Sequence, residues 1–259
     1  MNVPSVFNKP DWVPAVEAGS RILIAGATGG LGRPLVEMLI QGSDCVVGAH
    51  GHTQRYESDN PRIIALNGPL DTEEQCVALV DEFCAKAGGI DGLVVLSGGI
   101  FFSGHWNDMT GADWEKEIDV NLNMPFFLAR AALRRMKEQK RGGRIILNGN
   151  ESSQHGGSPV SFPYAIAKRG TECMVQGLAR EGAPDNVLVN GVRLGFINSG
   201  FHQRWHHRTD EQLQQRINMI PLKRGGDPDE VAATIVFLMS PYGSFISGQM
   251  VAITGGDWL

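Results

Sequence analysis

Tyr164 and Lys168 stand four residues apart, a spacing that puts two side chains on one helix face a turn apart. A cation beside a phenol favours the phenolate and lowers the tyrosine pKa. A free phenol titrates near ~10, so bringing it to neutrality takes about 4 kcal/mol of differential stabilisation. A tyrosine tuned in that way can give or take a proton at working pH. Ser152 and Ser153 lie in the turn before the pair, within the stretch NGNESSQHGGSPVSFPYAIAK at 148–168. Taken alone, Tyr-x-x-x-Lys is common by chance, and the plain alternative is a packed ring with a solvated lysine.

A second chemical signature lies near the N-terminus. GATGGLG at 26–32 sits between a short apolar run, RILIA, and a segment with apolar residues at helical spacing. Glycines there let the turn tighten and the backbone approach a pyrophosphate, which then rests on the helix N-terminus. The alternative is an ordinary strand-to-helix turn, but the placement favours nucleotide binding.

The elements that would position these residues alternate along the chain. Strands are predicted at 21–25, 45–50, 62–66, 93–96, 144–147, 187–192 and 248–254. Helices are predicted over 71–87, over 112–140 with an interruption at 121–125, over 162–181, and from 228 with Asp227 as N-cap and Pro228 at the first position. Continuous apolar strands are buried on both faces, as in a parallel sheet. The reading is an α/β fold: a doubly wound parallel sheet of seven strands with helices on both faces. Residues 1–20, with Pro4, Pro10 and Pro14, read as an arm for which Trp12 is the candidate packing residue, and 21–259 as one catalytic domain.

Bulk properties narrow the function classes. An apolar content of 42% is enough for a sizeable core, and a net charge of -5 gives no reason to expect nucleic acid or an anionic membrane as partner. No apolar run approaches a membrane span, and the first residues lack the pattern of a secretory signal. Cys45, Cys76, Cys84 and Cys173 form no C-x-x-C pair, so buried free thiols in a reducing cytoplasm are expected.

Taken in order, these motifs resemble those of the short-chain dehydrogenase/reductase family, from residue 21 to the end. AGATGGLG fits the family's TGxxxGxG pattern, with Ala25 in place of Thr. IDGLVVLSGG occupies the place of its strand-four NNAG motif. IDVNL supplies Asn121, YAIAK supplies Tyr164 and Lys168, VRLGFINSGF resembles the segment after strand six, with Leu194 in place of Pro, and SFISGQMVAITGGDW resembles the closing segment. The resemblance implies a Rossmann-like fold and hydride transfer between a nicotinamide cofactor and a ketone or secondary alcohol. Tyr164 would be the general acid or base, and Lys168 would lower its pKa and hold the nicotinamide ribose. Asn121 would anchor a water through a break in its helix, and a serine would bind the substrate oxygen. The same resemblance assigns Gly26, Thr28, Gly30, Leu31, Gly32, Leu70, Gly98, Ile197 and Ser199, with Tyr164 and Lys168, to the cofactor.

The departures fall at defined places. Counting from the fifth strand puts Asn150 in the serine's position, and counting back from Tyr164 puts Glu151 there. One inserted residue brings Ser152 into place; Ser152 is the expected serine and Ser153 the second choice. Val95 and Leu96 replace the two Asn of NNAG, and Pro69 replaces an acidic residue often found after strand three. At the end of strand two, where an acid would select NAD, the chain has His50, then His52 and Arg55, and nothing acidic before Glu57. His50 and Arg55 are therefore expected at the adenosine ribose, with NADP(H) favoured over NAD(H), although Gly29 lacks the basic side chain of many NADP-dependent relatives.

Residues 200–226 occupy the place of a substrate lid. His202 and His206 have i, i+4 spacing, but a metal site would need a third ligand and none is expected. Arg204, His207 and Arg208 could meet a polar substrate or face solvent. Phe101, Phe102, His105 and Trp106 could form an apolar wall or pack beneath that loop. The partners expected are a small carbonyl or alcohol substrate and, by resemblance, other copies of the chain in a homotetramer or homodimer. The alternative from another class is a nucleotide-binding regulator or scaffold of the same fold with impaired chemistry.

Overall fold

Runs of branched apolar residues fix the strands, because a strand buried on both faces has no use for alternation. Ile22, Leu23 and Ile24 at the centre of β1 (Arg21–Ala25), and Leu93 to Val95 in β4 (Gly92–Val95), are all fully buried. The computed structural model describes residues 14–206 and 209–257, with the side chain of His206 excepted; Trp12, His207 and Arg208 lie outside them. The remaining strands are β2 (Val46–Gly51), β3 (Ile63–Asn67), β5 (Gly143–Asn150), β6 (Val187–Leu194) and β7 (Met250–Ile253). All pairings are parallel, in the order β3-β2-β1-β4-β5-β6-β7. The expected seven-stranded doubly wound sheet is therefore the observed one.

Helices α1 (Gly32–Gly42), α2 (Glu73–Ala87), α3 (Gly111–Ile118), α4 (Met124–Gln139), α5 (Phe162–Gly182), α6 (Phe201–His206), α7 (Asp210–Met219) and α8 (Pro228–Met239) follow in chain order. One core layer joins α2, α4 and α5 to the sheet through Phe83, Leu128, Leu133, Met136 and Val175. The other joins α1 and α8 through Leu35, Leu39, Val231 and Ile235. Helix starts follow local chemistry. Thr72 and Gln75 form a capping box at α2, Thr110 and Asp113 do so at α3, and Asp227 and Glu230 at α8, with Pro228 in the first turn. The interruption expected at 121–125 is a π-helical turn, Asp119–Asn123, in which the Met124 N–H donates to the Asp119 carbonyl.

Two features position a site. The sheet reverses its winding between β1 and β4, where Ala25 and Val95 are in register, and ligands of such sheets bind outside the carboxyl ends of the strands at that point. The segment expected as a lid contains α6 and α7; α7 packs through Leu213 and Ile217 against Phe196, just after β6. From the arm, Val16 joins the α1 core and its N–H donates to Ser43 Oγ at 3.0 Å. Among the described residues no helix is long and apolar enough to cross a membrane.

At the opposite end, Arg21 anchors the β1–β4 pair. Its Nε and one terminal nitrogen donate to the two oxygens of Asp91 at 2.6 and 2.7 Å, and its backbone N–H donates to Asp91 as well. Burial works against the charged carboxylate, but the bonds from Arg21 outweigh it and hold Asp91 below its usual pKa. A depressed carboxylate stabilises the fold above the ordinary Asp pKa and loses that contribution as pH falls through the folded value. Asp91→Asn should cost about 3 kcal/mol at neutral pH, read from urea unfolding, with the difference from wild type vanishing in acid.

Candidate active site

Helix α5 carries Tyr164 and Lys168 on the face that packs against the sheet. Both are buried, at 5% and 1% exposure, and Lys168 Nζ lies 5.5 Å from the centre of the Tyr164 ring. The ammonium donates to the Asn148 carbonyl oxygen near the end of β5 at 3.1 Å. Burial lowers the Lys168 pKa to about 8, with the buried carboxylate of Glu117 acting the other way. Burial, and then Glu117, push the Tyr164 phenol above its ordinary value. The expectation that Lys168 depresses the tyrosine is thus reversed in the protein alone: desolvation disfavours both charged forms and dominates. In the protein alone the phenol holds its proton more firmly than in water, as a weaker acid.

Asn121 is fully buried at the centre of the π-helical turn. Its Nδ2 donates to the carbonyl oxygens of Gly99 and Glu117 at 2.9 and 3.0 Å and to Glu117 Oε2 at 3.1 Å, while its Oδ1 accepts from the Gly99 N–H. Its side chain therefore staples the loop after β4, and protein groups take up the capacity expected to serve a water.

The turn after β5 separates the candidates for the serine role. Asn150 Oδ1 accepts from the Ser152 N–H and from Ser152 Oγ, the latter at 2.7 Å. Ser153 Oγ donates to Glu172. Glu151 is buried with neither carboxylate oxygen hydrogen-bonded among the described residues, and its electrostatic neighbours are Arg193, Asp257, His155 and Glu172 rather than Tyr164. Burial raises its pKa. Ser152 is thus the hydroxyl that no charged group engages.

The glycine loop forms a cradle at the winding reversal. Gly26 has φ +92°, and a Cβ there would stand 2.8 Å from the Ser97 nitrogen. A Cβ on Gly30 would meet the Ser199 carbonyl oxygen at 2.1 Å. Neither position admits a side chain. The start of α1 has no side-chain cap and no acidic residue in its first turn; the Arg33 N–H donates to the Gly29 carbonyl at 3.1 Å and Pro34 has none, so the N–H groups of Leu31 and Gly32 are the ones open to a ligand. Gly98 closes the cleft on the β4 side, while Ser199 and, from the segment expected as a lid, Phe201, Arg204 and Trp205 close it on the other. An open cradle with an uncapped helix N-terminus fits a dinucleotide phosphate.

Other expected cofactor positions diverge. His50 is 1% exposed, and its Nε2 bonds the Gly68 carbonyl at 2.9 Å. It shares the strand face of Gly48, whose missing side chain makes room for the Phe83 ring. Burial lowers its pKa, so it is a neutral interior residue and not the cation expected at the ribose. His52 and Arg55 are exposed just beyond β2, and Arg33, in the first turn of α1, lies over the Tyr56 ring at 5.3 Å and donates to the Thr28 carbonyl. Leu70 and Ile197 put their side chains into the two core layers, which leaves only their backbone to a ligand.

Aromatic side chains form the other wall. Phe101 meets Trp205 edge-on at 5.0 Å, Trp106 meets Phe162 at 6.0 Å, and Phe201 lies 6.2 Å from Tyr164. Phe102 and His105 belong to the same loop, and His105 Nδ1 accepts from the Asn107 N–H. His202 stacks on Phe196 at 4.4 Å. Two participants were missed in the sequence. Trp205 reaches the Gly99 backbone so closely that a Cβ there would stand 2.6 Å from its ring. Glu117 precedes Asn121 by four residues, a spacing that marks a shared helix face and was the available signal.

The comparisons agree with this geometry. A family model described as enoyl-(acyl carrier protein) reductase matches residues 48–257. The 3-oxoacyl-[acyl-carrier-protein] reductase FabG of Vibrio cholerae is 32% identical over 249 residues, covering 93% of this chain and 98% of that protein. Its counterpart in Aquifex aeolicus is 32% identical over 92% and 97%, and nodulation protein G of Rhizobium meliloti is 30% identical over 92% and 96%. In fold, the chain is similar to a double mutant of a Serratia marcescens short-chain dehydrogenase/reductase, with a TM-score of 0.80, 21% identity, and coverage of 93% of this chain and 99% of that one. With a family model over most of its length and relatives above 30% identity from end to end, the chain belongs to the short-chain dehydrogenase/reductase family of oxidoreductases.

Proposed function

We propose that the protein reduces a ketone to a secondary alcohol with a reduced nicotinamide dinucleotide, with Tyr164 as the proton donor. The observation that carries this reading is the burial of Tyr164 and Lys168 together at the end of the sheet that also holds the glycine cradle. When bound, the cofactor supplies the hydride that becomes the new C–H bond. Tyr164 Oη gives its proton to the carbonyl oxygen, so C=O becomes CH–OH and the phenol becomes a phenolate. The Lys168 ammonium stabilises that phenolate and has further N–H groups beyond the one bonded to Asn148 for the ribose. Ser152 Oγ donates to the same carbonyl oxygen and balances the charge that grows there. Solvent then reprotonates Tyr164. The reverse sequence oxidises an alcohol.

The aromatic wall favours a substrate with an apolar chain next to the ketone. The relatives named as 3-oxoacyl-[acyl-carrier-protein] reductases point the same way, so a 3-oxoacyl thioester is the substrate class of choice. NADP(H) is the cofactor favoured, through Arg55 and His52 with Arg33 beside them rather than through His50. The chain works as one catalytic domain with residues 200–226 as its lid. It assembles as a homodimer or homotetramer, for which the exposed Phe237, Tyr242 and Phe245 offer apolar side chains. Free cysteines suit a reducing cytoplasm.

Three measurements test this. Tyr164→Phe should lower ketone turnover by about 10²–10⁴-fold, followed by absorbance of the reduced nicotinamide, while leaving NADPH affinity intact; full activity would remove the tyrosine from the mechanism. Ser152→Ala should cost about 10²-fold in kcat and Ser153→Ala no more than about threefold; the opposite order would move the role to Ser153. Arg55→Ala should weaken NADPH about tenfold by calorimetry and leave NADH unchanged; an unchanged NADPH affinity would assign Arg55 to solvent, and equal weakening of both would assign it to a part the two cofactors share.

A further inference from the structure

Helix α3 buries one charged side chain, and it hydrogen-bonds Asn121 of the π-helical turn. Glu117 is 1% exposed. Its Oε1 accepts from the backbone N–H groups of Phe101 and Phe102, the latter at 2.9 Å, and its Oε2 accepts from Asn121 Nδ2 at 3.1 Å. It thus joins α3, the π-helical turn and the loop that carries the aromatic wall. A Cβ on Gly98 would lie 3.0 Å from Asn121 Oδ1 and 3.4 Å from Lys168 Nζ, so Asn121 and the ammonium border the same space beside a glycine. A carboxylate with three N–H donors is far more than a cap, because burying it costs several kcal/mol unless a charge or a set of donors compensates it.

We propose that Glu117 is a positioning residue for the reduction: its carboxylate locks Asn121 and the 99–102 loop, and its negative charge keeps the buried Lys168 ammonium charged beside Tyr164. The proposal rests on the reading of Tyr164 and Lys168 as the reacting pair. The ionisable groups that face one another here are Glu117 from α3 and Tyr164 and Lys168 from α5. The π-helical turn adds only uncharged Asn121, and β5 adds only the Asn148 carbonyl. Lys116, the sequence neighbour, points outward over the Phe101 ring and pairs with Asp71 at 3.0 Å. Burial depresses Lys168 to about 8, and Glu117 is the charge that opposes it. Without that charge the ammonium would lose its proton at a lower pH, within the working range. Glu117 also holds the Tyr164 phenol up, so it keeps the pair in its proton-loaded state, phenol and ammonium together.

The test is a pH titration of lysine 13Cε signals in cofactor-free protein, with the Lys168 signal assigned by Lys168→Arg. Wild type should titrate near the value of about 8, and Glu117→Gln should lower that midpoint by about one pH unit, a tenfold change in the proton equilibrium. Glu117→Asp, which keeps the charge, should hold the midpoint close to wild type. With cofactor and ketone present, Glu117→Gln should lower kcat more than KM and move the alkaline fall of the rate to lower pH. In wild type itself, the Glu117 13Cδ signal should move as Lys168 titrates, which covers the case in which the glutamine variant does not fold. An unchanged Lys168 midpoint in Glu117→Gln, or a Glu117 signal indifferent to Lys168, would overturn the proposal. The titrations use no substrate, so they fail or succeed apart from the ketone-reduction reading, which Tyr164→Phe tests.

Discussion

An ammonium buried beside a phenol is the arrangement on which the site depends. Lys168 sits on the inner face of α5, where its charge is disfavoured, and among the described residues the Asn148 carbonyl and the charge of Glu117 offset that cost. This works only if α5 packs closely along β5 and β6, and only if the segment before α4 can bring its own groups inward. The π-helical turn does the latter: it buries Asn121 and turns Glu117 towards the interior. The two layers of core that flank the sheet then hold these elements in place.

The cradle and the reacting pair are joined by the same geometry. The winding reversal between β1 and β4 leaves the glycine loop and Gly98 side by side at one end of the sheet. From there the lid closes the gap: Ser199 approaches Gly30, Trp205 rests on Gly99, and Phe201 stands beside Tyr164. On the proposed reading, one segment would cover both the nucleotide end and the carbonyl end of the reaction, and a change in it would reach both. Arg204, which lines the cleft, brings a cation to the uncapped start of α1.

Much of this was legible in the residues, and the rest has physical reasons for being hidden. Continuous apolar runs gave the strands, because parallel strands are buried on both faces, and Asp227 with Pro228 marked a helix start, the one by its capping side chain and the other by its fixed backbone angle. Tyr164 and Lys168 were legible as a pair because i, i+4 spacing survives any helix. The sign of the tyrosine shift was not, because desolvation depends on what surrounds the helix. The inward turn of His50 was not legible, because one residue of strand register decides between solvent and interior, and it falls on the side of Phe83. The serine depended on where Glu151 and Ser153 turn, which is set by Arg193 and Glu172 on distant elements. Glu117 was overlooked because a glutamate on an amphipathic helix usually faces water.

The central claim is that the buried pair is held loaded with both protons, so that Tyr164 donates while Lys168 carries the charge. The direct measurement is the pH dependence of kcat/KM for ketone reduction at saturating reduced cofactor, compared between wild type and Lys168→Met. The account predicts a plateau in wild type that falls as Lys168 loses its proton on the alkaline side, and a slow variant that lacks this fall. A wild-type profile that stayed flat through the alkaline range, or one that Lys168→Met left unaltered, would contradict it.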